Sequence, residues 1–93
     1  APHNINVNAI CPGMVWTPLY DRLAKKRSDF NIHPDIENLS GREYFDKLVE
    51  KVTPMKRDQT PEDVGNLAAF LSSDDARNIT GQAINLDGGR YMN

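Results

Sequence analysis

The residue pattern predicts an α/β fold: a strand–helix–strand unit whose two strands lie parallel, with a long insertion in the crossover between them. Three observations carry this. Ile5, Val7, Ala9 and Cys11 alternate along the chain, the period of a strand with one apolar face. Val64, Leu67, Ala68 and Leu71 recur at the spacing of one helical face. Gln82 to Leu86 is a short strand-like run that ends at Asp87-Gly88-Gly89, where the chain can turn out of a sheet.

The first strand is expected over Ile5 to Cys11, buried, with Cys11 as a small apolar residue at its end. Pairing should stop at Pro12, which has no N–H for a ladder. Gly13 allows a close backbone approach above the strand end. Thr17 stands at an N-cap position with Pro18 at the first helical position, so a helix should run through Leu19, Tyr20, Leu23 and Ala24 to about Lys26. Ser28 to Leu39 has neither period and reads as a surface loop. Ser40 and Glu43 have capping-box spacing, and Phe45, Leu48, Val49 and Val52 share one side of the helix that follows, which Pro54 ends. Thr60-Pro61-Glu62-Asp63 is the clearest helix start, with a cap, a proline at N1 and two carboxylates at the positive dipole end. Phe70 and Ala69 should widen the buried face of that helix. In open α/β sheets ligands bind beyond the carboxyl ends of the strands, which places the Pro12 to Pro18 turn at the site.

Composition excludes several function classes. The chain has 93 residues and a formal net charge of −2, the wrong sign for a nucleic-acid binder. No apolar run reaches bilayer-spanning length, and Ala1-Pro2-His3-Asn4 is not a signal peptide, so a cytoplasmic protein without membrane contact is expected. The single cysteine has no internal partner, and His3 and His33 lack ligand spacing, so no metal site is expected.

The segment Asn-Ala-Ile-Cys-Pro-Gly-Met-Val-Trp-Thr-Pro over 8–18 resembles the Pro-Gly segment of the short-chain dehydrogenase/reductase family. Thr60-Pro61-Glu62-Asp63-Val64 and Ile79-Thr80-Gly81-Gln82 before Asp87-Gly88-Gly89 resemble two further family signatures, in the family's order. The likeness covers nearly all of residues 1–93 but only the C-terminal part of the family fold. It implies a βαβ segment of a Rossmann-type doubly wound parallel sheet, not a complete domain, with residues 18–55 inserted as a helical substrate lid. It further implies NAD or NADP as cofactor, a small-molecule alcohol or ketone as substrate, and a homo-oligomer, tetramer or dimer.

By that resemblance Pro12 and Gly13 floor the nicotinamide site, the Val15 backbone holds the carboxamide, and the Thr17 hydroxyl contacts carboxamide or phosphate. Met14, Trp16 and Tyr20 are the candidates for facing substrate beneath the lid; for Trp16, a lone tryptophan in a turn, packing on the lid or at a subunit contact is the equal alternative. The family's glycine-rich cofactor loop is absent from these residues, as is its Tyr-x-x-x-Lys pair: Tyr20 is followed by Ala24 at that spacing and Tyr44 by Leu48. Tyr44 with Lys47 reads as an exposed helical face. No catalytic residue is therefore assigned. The family usually has glycine where Lys56 stands and another near Gln59, departures that fall outside the expected cofactor contacts.

Three functions follow from these readings. The first is the C-terminal part of an NAD(P)-dependent oxidoreductase acting on a small secondary alcohol, polyol or ketone, inactive as the 93-residue chain alone. A long acyl chain is less favoured, since the insertion is largely polar. The second is a non-catalytic piece that serves oligomer assembly. The third is a helix-turn-helix module over Thr60 to Gln82, which the carboxylates Glu62, Asp63, Asp74 and Asp75 oppose, with Arg77 as the single base.

Overall fold

The computed structural model describes residues 1–25 and 41–92. The expected surface loop over Ser28 to Leu39, His33 and the Ser40 cap lie outside them. The elements run in the order β1 (Ala9–Pro12), α1 (Pro18–Lys25), α2 (Gly41–Val52), α3 (Pro61–Leu71), a single 3-10 turn (Asp74–Ala76) and β2 (Ala83–Leu86). β1 and β2 pair in parallel, with Ala9 opposite Ala83 and Pro12 opposite Leu86. The strand–crossover–strand topology is the one expected. A strand at 83–86 also replaces the second helix that a helix-turn-helix module needs, so that reading falls.

β1 starts four residues later and ends one residue later than expected, and both differences have local causes. Asn6 and Asn8 side chains occupy the partner groups that a ladder would use. Asn6 donates to the Arg77 carbonyl at 3.0 Å. Asn8 donates to Ile79 O at 2.9 Å and accepts from Gln82 N at 3.0 Å. Short amide side chains compete with the backbone in this way, so Ile5 to Asn8 lies outside the regular ladder, although Gly81 N donates to Val7 O at 2.7 Å. At the other end, Ala9 N donates to Gln82 O and Gly13 N donates to Leu86 O. Alternate residues thus face β2, and the nitrogen of Pro12 lies on the opposite edge, where its missing N–H costs this ladder nothing.

The first strand is not buried. Ile5 and Val7 are 60% and 70% exposed, and Cys11 is exposed as well. α3 has no buried residue: Val64, Leu67 and Leu71 are half-buried, while Ala69 and Phe70, expected to widen its inner face, are exposed. Parallel strands require cover on both faces, and two strands with one helix supply little of it.

The core forms around the insertion instead. Met14, Phe45 and Val49 are buried together, with Trp16, Tyr20, Leu48 and Val52 packed around them. The inward side of α2 therefore carries the four residues its period assigned to one face. Tyr44 is a correction: it is 8% exposed rather than part of a solvated face. Among the described side chains of α1, Tyr20 packs on this core, and Leu19 and Leu23 remain open to solvent.

α3 is capped as its sequence implies, and more completely. Thr60 Oγ1 accepts from Asp63 N at 3.1 Å, and the Asp63 carboxylate accepts from Thr60 N at 2.8 Å, closing a capping box. The backbone hydrogen bond from Thr60, then the bond with its side chain, hold the Asp63 carboxyl below the ordinary aspartate range. A depressed folded-state pKa stabilises above the unfolded value, and that contribution disappears as pH falls through the folded one. Acid unfolding of Asp63→Asn in the complete protein should accordingly show a shallower pH dependence than the parent protein below the ordinary aspartate range. Equal slopes for the two would show that the capping carboxylate carries no such linkage.

Lys56 has φ +56°, the left-handed region, and its Nζ donates to the Glu50 carbonyl at 2.6 Å near the end of α2. A side chain there costs roughly 1–2 kcal/mol that glycine avoids. This gives a physical reason for glycine at this position in the family pattern. Both Lys56→Gly and Lys56→Ala lose the lysine's hydrogen bond, so thermal melts of the two should differ by about 1 kcal/mol in favour of glycine.

Candidate functional site

The two strands end side by side, and everything beyond their carboxyl ends is built by three short segments. They are the turn 12–17 after β1, the turn 87–91 after β2, and the connection 53–60 between α2 and α3. Asp87, 6% exposed, organises the second: Oδ1 accepts from Gly89 N at 3.0 Å and Oδ2 from Tyr91 N at 2.9 Å. The connection docks on it through Met55 N to Gly88 O at 3.1 Å. A Cβ on Gly88 would come within 2.5 Å of Thr53 Cγ2, and its φ is +63°, so glycine is required there twice over.

Gln59 joins the connection to the turn after β1. Its N–H donates to Met14 O at 2.8 Å, and its side-chain Oε1 accepts from Met14 N at 2.9 Å. Its Nε2 donates to Arg57 O at 3.3 Å, which orients the amide. Both backbone groups of Met14 are thus taken by one residue, itself 6% exposed. Gly13 fits beneath: an added Cβ would lie 2.7 Å from Gln59 Oε1 and 2.8 Å from Asp87 Cα. The close approach that needs glycine here is made by the Gln59 amide and by Asp87.

Val15 pairs with Gln59 in an isolated parallel bridge. In extended chain, successive residues turn their N–H and C=O to opposite edges. Since those of Met14 face Gln59, those of Val15 face away, and no described residue hydrogen-bonds to either. One donor and one acceptor therefore stand on the same edge, unpaired among the described residues. Two residues on, Thr17 Oγ1 accepts from Tyr20 N at 3.2 Å and caps α1.

The structure brings Pro12, Gly13, Val15 and Thr17 into one turn, as their contiguity requires, and separates their neighbours from it. Met14 is 6% exposed and lies in the core against Phe45 and Val49. Trp16 and Tyr20 pack on Phe45 edge-on, with ring centroids 5.2 and 4.8 Å away. Burial raises the Tyr20 phenol above its ordinary titration range; neighbouring Tyr44 adds to the rise and Arg90 opposes it. Arg90 also reaches Met14, with Nη1 3.4 Å from Sδ. Among the described residues no cluster of His, Cys, Asp or Glu could hold a metal ion, and no helix is long and apolar enough to cross a membrane.

Gln59 is the residue that sequence reasoning missed. It appeared only as a departure from a family glycine, outside the expected contacts, yet it hydrogen-bonds the turn directly. A lone glutamine in a loop has no period or spacing to mark it. Thr60, which follows it as the cap of α3, was the one adjacent signal.

A parallel strand pair joined through a crossover is the architecture of α/β proteins with doubly wound sheets. Known proteins specify the class further. The family description of enoyl-(acyl carrier protein) reductases matches residues 31–90. The uncharacterized oxidoreductase YxjF of Bacillus subtilis (strain 168) is 36% identical over 89 residues, covering 96% of this chain and 32% of its own. The L-2,3-butanediol dehydrogenase of Corynebacterium glutamicum is 34% identical over 93 residues, covering 100% of this chain and 33% of that protein. The crystal structure of L-sorbose reductase from Gluconobacter frateurii, complexed with NADPH and L-sorbose, superposes with a TM-score of 0.77 at 31% identity. That match covers 99% of this chain and 33% of the other. The chain belongs to the short-chain dehydrogenase/reductase family, and its fold is a segment of that family's Rossmann-type sheet. It spans about a third of the length of the relatives it matches.

The clamp makes a specific demand on stability. Gln59→Ala removes the acceptor for Met14 N and leaves that N–H without its partner in a buried place. Chemical denaturation of the complete protein should show a loss of about 1–3 kcal/mol. Gln59→Glu, which keeps the acceptor, should lose less.

Proposed function

We infer that this chain is the C-terminal portion of a larger NAD- or NADP-dependent oxidoreductase, and that the turn 12–17 holds the nicotinamide end of the cofactor. The observation that carries this reading is the Val15 edge. A primary carboxamide presents one acceptor and one donor pair side by side, and Val15 offers an N–H and a C=O on the same open side. Fixing the carboxamide fixes which ring face meets the substrate, which is what hydride transfer between the bound cofactor and an alcohol or ketone requires. Pro12 and Gly13 form the floor below that edge. Thr17, held at a helix start by its own cap, directs its hydroxyl to the carboxamide or to phosphate.

For substrate, the reading is a small secondary alcohol, polyol or ketone. Its support is the two relatives named for butanediol and sorbose, together with Met14, Trp16 and Tyr20 packed into a closed aromatic wall beside the edge. The matching family description, by contrast, refers to an acyl carrier protein. Turnover of the complete enzyme on acyl thioesters with none on short diols or ketones would overturn the substrate assignment. The complete enzyme is read as a homo-oligomer, tetramer or dimer. The 93 residues alone contain neither a glycine-rich phosphate loop nor a Tyr-x-x-x-Lys pair, so they should transfer no hydride by themselves.

Thr17→Val preserves shape and removes the hydroxyl. In the complete enzyme it should weaken cofactor binding by about 1–3 kcal/mol, read by fluorescence titration, and lower stability by roughly 1 kcal/mol through the lost cap. A shifted melt with unchanged affinity would reduce Thr17 to a cap alone.

A further inference from the structure

We propose that Arg42 is a positioning residue that couples the seating of α2 to the cofactor-facing edge of the 12–17 turn. The inference rests on the reading of Val15 and Thr17 given above and extends it to a residue that touches neither cofactor nor substrate.

Arg42 stands in the first turn of α2, on the insertion, and its guanidinium reaches two other parts of the site as well as its own helix. It lies over the Trp16 ring at 5.3 Å and over the Phe45 ring at 5.0 Å. Its Nε bonds Asp46 Oδ1 at 2.9 Å and its Nη2 bonds Asp58 Oδ2 at 3.2 Å. A single planar cation thus ties α2 to the turn after β1 through Trp16, and to the 53–60 connection through Asp58.

The position of Trp16 makes this matter. It lies between Val15 and Thr17, the two residues read as cofactor contacts, and its backbone cannot shift without moving both. The turn is held from one side by Gln59 on Met14. On the other side the hold is the aromatic packing of Trp16 and Tyr20 on Phe45, with Arg42 laid across two of those rings. Exposed ion pairs such as Arg42–Asp46 contribute little alone. Here the two carboxylates hold the guanidinium over the indole at 5.3 Å, and a planar, delocalised cation is what suits an aromatic face. Lysine has no such plane.

The coupling is reciprocal. When α2 is seated, Trp16 is pinned and the Val15–Thr17 edge is ordered for the cofactor; a bound cofactor, by the same linkage, favours the seated lid helix.

The test uses the complete enzyme and NADH or NADPH, whichever it binds. Arg42→Met keeps the aliphatic stem and removes the cation, and Arg42→Lys keeps charge without the plane. Cofactor dissociation constants should rise roughly tenfold for Arg42→Met, the order expected for a lost cation–π contact, and by an intermediate factor for Arg42→Lys. Leu67→Ala, on α3 and away from the insertion, serves as the stability control. It should lower the melting temperature without changing cofactor affinity. Arg42→Met with a lowered melt and unchanged affinity would overturn the coupling and leave Arg42 a structural residue. Thr17→Val in the same series separates the two ideas. Affinity lost there but kept in Arg42→Met overturns the coupling alone, and affinity kept in both overturns the nicotinamide assignment as well.

Discussion

The two hydrogen bonds between Gln59 and Met14 are the constraint on which the site depends. A turn that leaves a strand end has no ladder of its own, and without partners its N–H and C=O groups would face solvent in many arrangements. Gln59 takes both groups of Met14, one with its backbone and one with its side chain, while its own amide is oriented by Arg57. The consequence passes along the chain by simple alternation. With Met14 facing Gln59, Val15 must face away, and an open donor–acceptor edge results. Gly13 is needed because this clamp sits so close above it. The same connection that supplies Gln59 begins α3 at Thr60, so the helix cap and the turn clamp are adjacent in sequence and fixed together.

The second constraint is the packing of the insertion. α1 and α2 do not cover the sheet. They make a separate small core around Phe45, which is fully buried, and Val49, into which Met14 is drawn from the end of β1. A buried phenylalanine of this kind is worth about 3–5 kcal/mol against alanine. That core is what brings α2 against the 12–17 turn, and Trp16 and Tyr20 meet Phe45 there. Residues read from sequence as substrate-facing are thus packed into or against this core, with Met14 the most deeply buried of the three.

The exposed sheet is consistent with the same physics. The alternation over Ile5 to Cys11 is real, but Ile5, Val7, Ala9 and Cys11 on the apolar face are exposed, and Phe70 on α3 is 45% exposed. A parallel pair is normally covered on both sides by helices. The chain spans about a third of its relatives' length.

Local chemistry was sufficient for much of this. Helix starts at Thr17-Pro18 and Thr60-Pro61, the inward face of α2, the parallel pairing of two short strands and the Asp-Gly-Gly exit are each written in a few adjacent residues, because caps, periods and turns act over one or two helical turns. The order of the three signatures was enough to recognise the family. What adjacent residues could not decide was anything set by contact between distant segments. Asn6 and Asn8 shorten β1 by bonding residues some seventy positions away. Tyr44 and Met14 are buried because α2 folds back on the β1 turn. Gln59 becomes the clamp because the connection before α3 runs on the side of the turn opposite the open edge of Val15, and a glutamine's own neighbours say nothing of that. Hydrogen-bond partners and burial are properties of pairs, and the pairs exist only once the insertion has packed against the strand ends.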